Sequence, residues 1–128
     1  MLWSKSLETG IALIDEQHKE LFRQVDILLD PANENRHKES LNFLDRYILK
    51  HFGDEQKLQA EAKYPKAAQH KKFHDDYVVV FRKLKEKYLK EGPSPANNME
   101  INKTVVGWLK DHILVHDKEF AAYYKSLK

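Results

Sequence analysis

Ionisable side chains occupy positions in this sequence where a helical bundle would place aliphatic ones. Four successive segments carry apolar residues at alternating steps of three and four, the spacing of the buried face of an amphipathic helix. A buried imidazole or carboxylate without a partner costs several kcal/mol, so inward groups on four helices call for one common partner, and a metal ion is the obvious candidate. Five of the seven histidines and one glutamate share these stripes: His18, His51, Glu55, His70, His74 and His112.

Proline and glycine mark the ends of the helices. Pro31, Pro65 and Gly92 interrupt the periodic pattern and separate its segments. Because the connections are short, consecutive helices are expected to be antiparallel neighbours. The expected fold is all-α, an up-down-up-down antiparallel four-helix bundle with an extended N-terminal arm and a short C-terminal helix. The predicted elements are an arm over residues 1–11, a first helix that ends near residue 30, a second over about 36–62 and a third over about 66–91. A fourth helix begins near residue 99 and is followed by a last amphipathic piece through residue 124.

Composition limits the function classes that suit the chain. Its 128 residues are expected to form one domain, residues 1–128, long enough to bury a core. No apolar run is long enough for a membrane span, and the N-terminal segment lacks the apolar stretch of a secretory signal, which predicts a cytoplasmic protein with no membrane partner. A net charge of +2 does not favour nucleic acid, and the lysine-rich residues 82–90 are interpreted as a solvated helix face.

The absence of cysteine restricts the chemistry of any metal site. Thiolate zinc sites and cysteine-ligated iron–sulfur clusters are excluded, so a metal must be held by nitrogen and oxygen atoms. With a rise of about 1.5 Å per residue, the inward groups of the four helices fall at heights that agree within about 15 Å. All of them can therefore meet in one layer of the bundle.

The order and spacing of these residues along the chain resemble the pattern of the hemerythrin family. The resemblance spans nearly the whole chain, and it departs from the family pattern at Asp26 and at Gln56, where asparagine and a second acidic residue are usual. Neither position is a ligand in the family. The matching residues are Trp3, Gly10-Ile11, Ile14-Asp15-Glu16-Gln17-His18-Lys19, His51-Phe52, Glu55, Tyr64-Pro65, His70, His74, Trp108, His112-Ile113 and Asp117.

The resemblance implies a bundle that binds O2 reversibly at a non-haem diiron centre. Two iron ions, bridged by an oxo or hydroxo group, are the implied cofactors. The iron with only two imidazoles would keep one coordination position open for a small ligand. The implied ligands are His70, His74 and His112 on one iron, His18 and His51 on the other, and Glu55 and Asp117 as bridges.

An O2-binding protein, not an enzyme, is the function that the resemblance implies. Small anions such as azide or chloride, and NO, are expected to bind at the same open position as O2. Oxygen storage, transport, delivery to an oxygen-consuming enzyme and sensing stay open as uses. The chain is expected to be a monomer.

The ligand types favour reversible binding over oxidation. Ferritin-like diiron bundles use four glutamates and two histidines, whereas this chain supplies only two inward carboxylates. A neutral, imidazole-rich set of ligands donates less charge and stabilises high-valent iron poorly. The alternative function is a diiron oxidase or peroxidase, or a protein that detoxifies NO or iron.

The fourth segment sets helical spacing against the resemblance. His112 and His116 are four residues apart, which puts two ligands on one helical face. Asp117 is five residues from His112, so its use as a bridge requires a local widening such as a π-bulge, a feature often found at functional sites. Spacing alone favours His116 and the resemblance favours Asp117. With Asp117 as the ligand, His116 is expected on the solvent side or behind the ligands.

Apolar side chains one turn from the ligands of the open iron are expected to form a dry O2 pocket. Such walls would keep water and external anions away from the open position. The predicted pocket residues are Ile14, Leu21, Phe22, Ile48, Phe52 and Leu109.

Four other residues receive structural interpretations. Asp15, one turn before His18, is expected to help cap the first helix. His37, near the first loop, is expected at the surface. Trp3 and Trp108 are interpreted as packing aromatics of the arm and the core, in preference to pocket walls.

Overall fold

Three long helices and one segmented helix make up the fold. The structure is a computed structural model that describes residues 3–127, apart from the side chains of Pro31 and Glu34; the first two residues of the predicted arm and the last residue of the chain lie outside this range. None of the helices in this range combines the length and the hydropathy that a membrane-spanning segment needs. The first elements are a 3-10 turn Lys5–Leu7, α1 Ala12–Leu29, a 3-10 segment Pro31–Arg36, α2 His37–Glu61 and α3 Ala67–Glu91.

The fourth helix, residues 95–126, is continuous but not regular. Helical backbone angles are kept at every junction between its segments. It begins earlier than the sequence predicted, because the Ser94 side chain accepts a hydrogen bond from the backbone N–H of Asn97 and Pro95 occupies the first turn. Its segments are α4 Pro95–Glu100, a π-helix Ile101–Val106, α5 Gly107–His112, a second π-helix Ile113–Asp117 and α6 Lys118–Ser126.

Contacts between helices show that neighbours run in opposite directions. Gln56 pairs with His74, whereas Asp45, earlier on α2, pairs with Arg82, later on α3. The fourth helix follows α3 in the same antiparallel manner and also packs against α1. The predicted up-down-up-down four-helix bundle is confirmed, and the C-terminal helix is the end of the fourth helix.

Apolar side chains fill the bundle on both sides of the polar layer. The main core lies at the end that holds the α1–α2 connection and includes Leu28, Leu44 and Phe81. A smaller cluster, built on Ile14, Tyr64 and Phe120, lies at the opposite end, beside the α2–α3 turn. The polar layer therefore has apolar packing above and below it.

The N-terminal arm is fastened to the bundle by Asp15. Its carboxylate accepts hydrogen bonds from the backbone N–H of Thr9 at 2.8 Å, the Thr9 hydroxyl at 2.7 Å and the backbone N–H of Gly10 at 3.0 Å. Gly10 has a φ of 87°, and a Cβ there would collide with the Lys125 side chain. The expected cap is not formed, because Asp15 accepts from residues 9 and 10, ahead of α1, and thereby ties the arm to the helix. Leu7 anchors the arm in the core.

The prediction that His37 lies at the surface is wrong. The 3-10 segment folds the chain back so that α2 starts inside the end of the bundle, and His37 is buried. Its Nδ1 lies 2.6 Å from the Tyr88 hydroxyl and its Nε2 lies 3.1 Å from the Asp30 carbonyl oxygen. Because the carbonyl only accepts, Nε2 carries the proton and Nδ1 accepts from Tyr88. His37 is a hydrogen-bonded core residue.

Candidate metal centre

Seven buried side chains from all four helices converge on one layer of the bundle. They form two groups that share Glu55 and Asp117, and within each group the potential ligand atoms lie within 4.8 Å of one another. α1 supplies one histidine, α2 a histidine and a glutamate, α3 two histidines, and the fourth helix a histidine and an aspartate. The larger group is Glu55, His70, His74, His112 and Asp117; the smaller is His18, His51, Glu55 and Asp117.

Each carboxylate turns one oxygen toward each histidine group. Glu55 Oε1 lies 2.6 Å from His70 Nε2, whereas Glu55 Oε2 lies 3.8 Å from His51 Nε2. Asp117 Oδ1 lies 3.0 Å from His70 Nε2, whereas Asp117 Oδ2 lies 3.1 Å from His18 Nε2. Two carboxylates whose oxygens divide in this way have the arrangement of bridges between two cation positions.

Many of the potential ligand atoms in this layer have no hydrogen-bond partner within the described part of the protein. Imidazole and carboxylate come as close as 2.6 Å between His70 and Glu55 and 3.1 Å between His18 and Asp117, but in that part of the chain the carboxylate oxygens have no hydrogen-bond partner of acceptable geometry. Buried polar atoms in folded proteins nearly always have partners. Bound cations would satisfy this set. The unpartnered buried atoms here include both nitrogens of His18, Nε2 of His74, Nδ1 of His112, and both oxygens of Glu55 and of Asp117.

Burial and contacts between the side chains of the layer raise some of their pKa values and lower others. Burial raises the pKa of Glu55 to about 7, and the neighbouring Asp117 adds to the rise. Burial lowers the pKa of His74 to about 2. Burial by itself would lower the pKa of His70 too, but Asp117 and Glu55 outweigh it and raise it to about 9. A cation stabilises ionised carboxylates and deprotonated imidazoles together, so it suits the whole set.

A π-helix brings Asp117 into the layer. The segment Ile113–Asp117 has one residue more per turn than an α-helix, and Asp117 is buried with His112 on the same side. The predicted widening before Asp117 is confirmed. His116 is half-buried, its ring lies 4.4 Å from that of Phe73, and its nitrogens do not belong to the converging groups.

Two glutamines behind the histidines were not predicted from the sequence. Gln17 Oε1 lies 2.7 Å from His51 Nδ1, and the Gln56 amide lies 3.2 Å from His74 Nδ1. Such partners fix the orientation of an imidazole ligand. For Gln56 the only signal in the sequence was its departure from the family pattern. For Gln17 it was the position next to His18, which does not reveal a contact with another helix.

The six predicted pocket residues do not lie together. All six are buried, but Ile14 belongs to the small cluster with Tyr64 and Phe120, below the polar layer. Phe52 stacks on the ring of His74 at a centroid distance of 3.8 Å and contacts His51 less closely, at 5.6 Å. The other five belong to the main core above the layer: Leu21, Phe22, Ile48, Phe52 and Leu109.

Both tryptophans pack as the sequence predicted. Trp3 and Trp108 are partly buried against the main core. Trp108 is also parallel to the His112 ring, with centroids 4.6 Å apart. Beside it a surface cleft of about 240 Å³ reaches His112 and His116 between α3 and the fourth helix.

Comparison with known proteins identifies relatives along most of the chain. The hemerythrin HHE cation binding domain family matches residues 9–124. A bacteriohemerythrin of Pseudomonas paraeruginosa is 29% identical over 116 residues, which cover 88% of this chain and 74% of that protein. A myohemerythrin of Theromyzon tessulatum is 31% identical over 112 residues, covering 87% of this chain and 82% of that protein. A hemerythrin of Themiste dyscrita is 40% identical over 76 residues, covering 59% and 64%.

The family match and the geometry agree on the kind of site. The matched range contains all seven converging residues and both π-helices. The layer itself provides imidazole and carboxylate donors in two groups that share their carboxylates. The chain belongs to the hemerythrin HHE cation binding domain family.

Proposed function

We propose that this protein binds O2 reversibly at a non-haem, carboxylate-bridged diiron centre. The observation that carries the proposal is the division of the Glu55 and Asp117 oxygens between two histidine groups. Membership of the hemerythrin family supports O2 as the ligand. Two iron ions would supply the electrons that O2 takes up on binding and gives back on release, and imidazole with carboxylate is a donor set that suits iron.

The seven residues divide into an unequal pair of iron sites. The group with three imidazoles would be the more fully coordinated of the two, and the group with two imidazoles would leave one position for a small ligand. We assign O2 to that position, and expect azide, chloride or NO to compete for it. The proposed assignment is His70, His74 and His112 to one iron, His18 and His51 to the other, and Glu55 and Asp117 to both.

Buried apolar side chains next to the two-imidazole group support binding in a dry site. Leu21 and Phe22 follow His18 by one turn of α1, and Ile48 precedes His51 by one turn of α2. Leu109 belongs to the same core. These residues would exclude water and external protons. Ile14 is left out of the proposed pocket because it lies at the other end of the polar layer.

Metal analysis and an anaerobic O2 titration test the proposal together. The purified protein is expected to hold two irons per chain. The reduced protein should change its visible spectrum with O2 and recover the starting spectrum fully when O2 is removed. Zinc in place of iron would overturn the diiron assignment. Consumption of O2 with product formation would overturn reversible binding in favour of an oxidase or peroxidase.

A further inference from the structure

A chain of hydrogen bonds leads from the polar layer to the protein surface. His51 Nδ1 lies 2.7 Å from Gln17 Oε1, and Gln17 Nε2 lies 2.8 Å from Asp54 Oδ2. The same Asp54 oxygen lies 2.8 Å from Lys50 Nζ, and the Asp54 side chain is 33% exposed. This series of hydrogen bonds crosses from α2 to α1 and back to α2. Gln17 is buried between its two partners.

Hydrogen-bond chemistry fixes the direction of this chain. The Asp54 carboxylate, paired with Lys50, only accepts, so the facing atom of Gln17 is its N–H and the amide oxygen faces His51. An amide oxygen also only accepts, so His51 Nδ1 carries the proton. His51 Nε2 is then the atom with the free lone pair, and it is the nitrogen on the side of Glu55, 3.8 Å from Oε2. The protein thus prepares His51 as a ligand through Nε2.

The other imidazoles of the layer lack such a chain. His74 Nδ1 contacts the Gln56 amide, and no hydrogen bond joins Gln56 to a carboxylate within residues 3–127. In that same part of the chain, the Nδ1 atoms of His18 and His112 have no hydrogen-bond partner. Of the two histidines assigned to the iron with the open position, His51 alone is linked to an ionised group at the surface.

We propose that Gln17 and Asp54 are positioning residues that pass the negative charge of Asp54 to His51 and so favour oxidation of the iron held by His18 and His51. This inference rests on the proposed diiron function and deepens it. A carboxylate behind an imidazole N–H makes that imidazole a stronger donor. A stronger donor stabilises the ferric state and lowers the midpoint potential. The polarised amide of Gln17 transmits the effect because its two hydrogen bonds strengthen each other.

The test is the midpoint potential of the iron-loaded protein, measured by anaerobic redox titration. Asp54→Asn keeps an oxygen that can accept from Gln17 but removes the charge, so iron should stay bound and the midpoint potential should rise. The expected rise is on the order of 59 mV, which corresponds to a tenfold change in the one-electron equilibrium. The variant should also oxidise more slowly in air.

Asp75→Asn is the matched control. Asp75 pairs with Lys71 at 2.8 Å, as Asp54 pairs with Lys50, and it is likewise adjacent in sequence to a proposed ligand, His74. It has no amide link to an imidazole, so its removal reports charge acting through space alone. The shift for Asp75→Asn should be clearly smaller. Equal shifts in the two variants, no shift for Asp54→Asn, or loss of iron from Asp54→Asn would each overturn the proposal.

A double-mutant cycle separates transmission through Gln17 from any other route. Gln17→Leu breaks the chain and should raise the midpoint potential as well. Adding Asp54→Asn to Gln17→Leu should then cause little further change, because the charge no longer reaches His51. Additive shifts would overturn transmission through Gln17. These potentials can be read even if the O2 titration shows turnover, so failure of reversible binding and failure of this relay give different results.

Discussion

At the scale of single residues, the two carboxylates give the polar layer its arrangement. Glu55 reaches it from a regular helix, four residues after His51. Asp117 reaches it only from a π-helix, five residues after His112. Both are buried, and each turns one of its two oxygens toward one histidine group and the other oxygen toward the other group. Removal of one carboxylate would leave several imidazoles facing a cation with too little negative charge, so the carboxylates are expected to be the most sensitive positions.

Asp117→Ala is expected to lose iron, whereas His116→Ala is expected to keep it. Asp117 contacts imidazoles of both groups, but no His116 nitrogen belongs to either. Iron analysis and the visible spectrum of the two variants provide the measurement, with circular dichroism to check that both remain helical. Iron retained in Asp117→Ala and lost in His116→Ala would mean that helical spacing identifies the ligand and that the proposed bridge is wrong.

Polar substitutions in the proposed pocket are expected to speed the oxidation of the O2-loaded protein without removing iron. Leu109→Asn and Ile48→Asn would each bring an amide, and with it water, beside the two-imidazole group. The measurement is the decay of the oxygenated spectrum in air, together with iron content. Leu114→Asn is the control, because Leu114 is on the same helix but 45% exposed. Decay at the rate of the parent in both pocket variants would contradict the dry pocket.

At the scale of elements, charged contacts hold α2 and α3 in register above the polar layer. Asp45 on α2 lies 3.1 Å from Arg82 Nε and 2.9 Å from Lys85 Nζ on α3. Burial by itself would raise the pKa of Asp45, but the hydrogen bonds from Lys85 and Arg82 outweigh it and hold this pKa below its ordinary 3.8. The register of α2 against α3 matters because the two helices supply four of the seven converging side chains.

Asp45→Asn is expected to destabilise the fold at neutral pH by about 0.5 kcal/mol, the scale of a partly exposed ion pair. Because the pKa of Asp45 is lower in the folded than in the unfolded state, its contribution is complete above pH 3.8 and is lost as the pH falls through the lower, folded value. Urea unfolding of variant and parent between pH 7 and pH 3 measures the difference. A difference that persists or grows at the acidic end would contradict this account.

At the scale of the whole molecule, the polar layer divides the apolar core into two clusters. Apolar clusters lie above and below it, and all four helices meet at it. Without cations the layer keeps buried atoms that lack partners, and each such group costs free energy. Metal binding and folding are therefore expected to be coupled across the entire bundle.

Removal of iron by a chelator is expected to lower the free energy of unfolding by roughly 3 kcal/mol or more, the scale of a tightly bound ligand at saturating concentration. Thermal unfolding of the chelated and the iron-loaded protein measures the change, and anaerobic addition of ferrous iron should restore the original transition. Identical transitions with and without iron would show that the layer is satisfied by the protein alone.

What the sequence determined by itself is the fold class, the four helical segments and the six inward polar side chains that meet in one layer. Each of these depends on periodicity, on punctuation by proline and glycine, and on residue type, which are local properties of the chain. Asp117, which the family resemblance added and regular helical spacing did not favour, also lies in this layer. Asp117 is the last residue of the π-helix Ile113–Asp117, which explains why regular helical spacing did not identify it.

Only the tertiary structure decided the surroundings of the site. His37 is buried because the 3-10 segment sets the angle at which α2 starts. Ile14 belongs to a different apolar cluster from the other five predicted pocket residues, because the polar layer lies between it and the main core. The partners of Gln17 stand 34 and 37 residues away, on another helix. Such contacts depend on the rotation and height of one helix against its neighbour, which packing between helices sets and which no local pattern encodes.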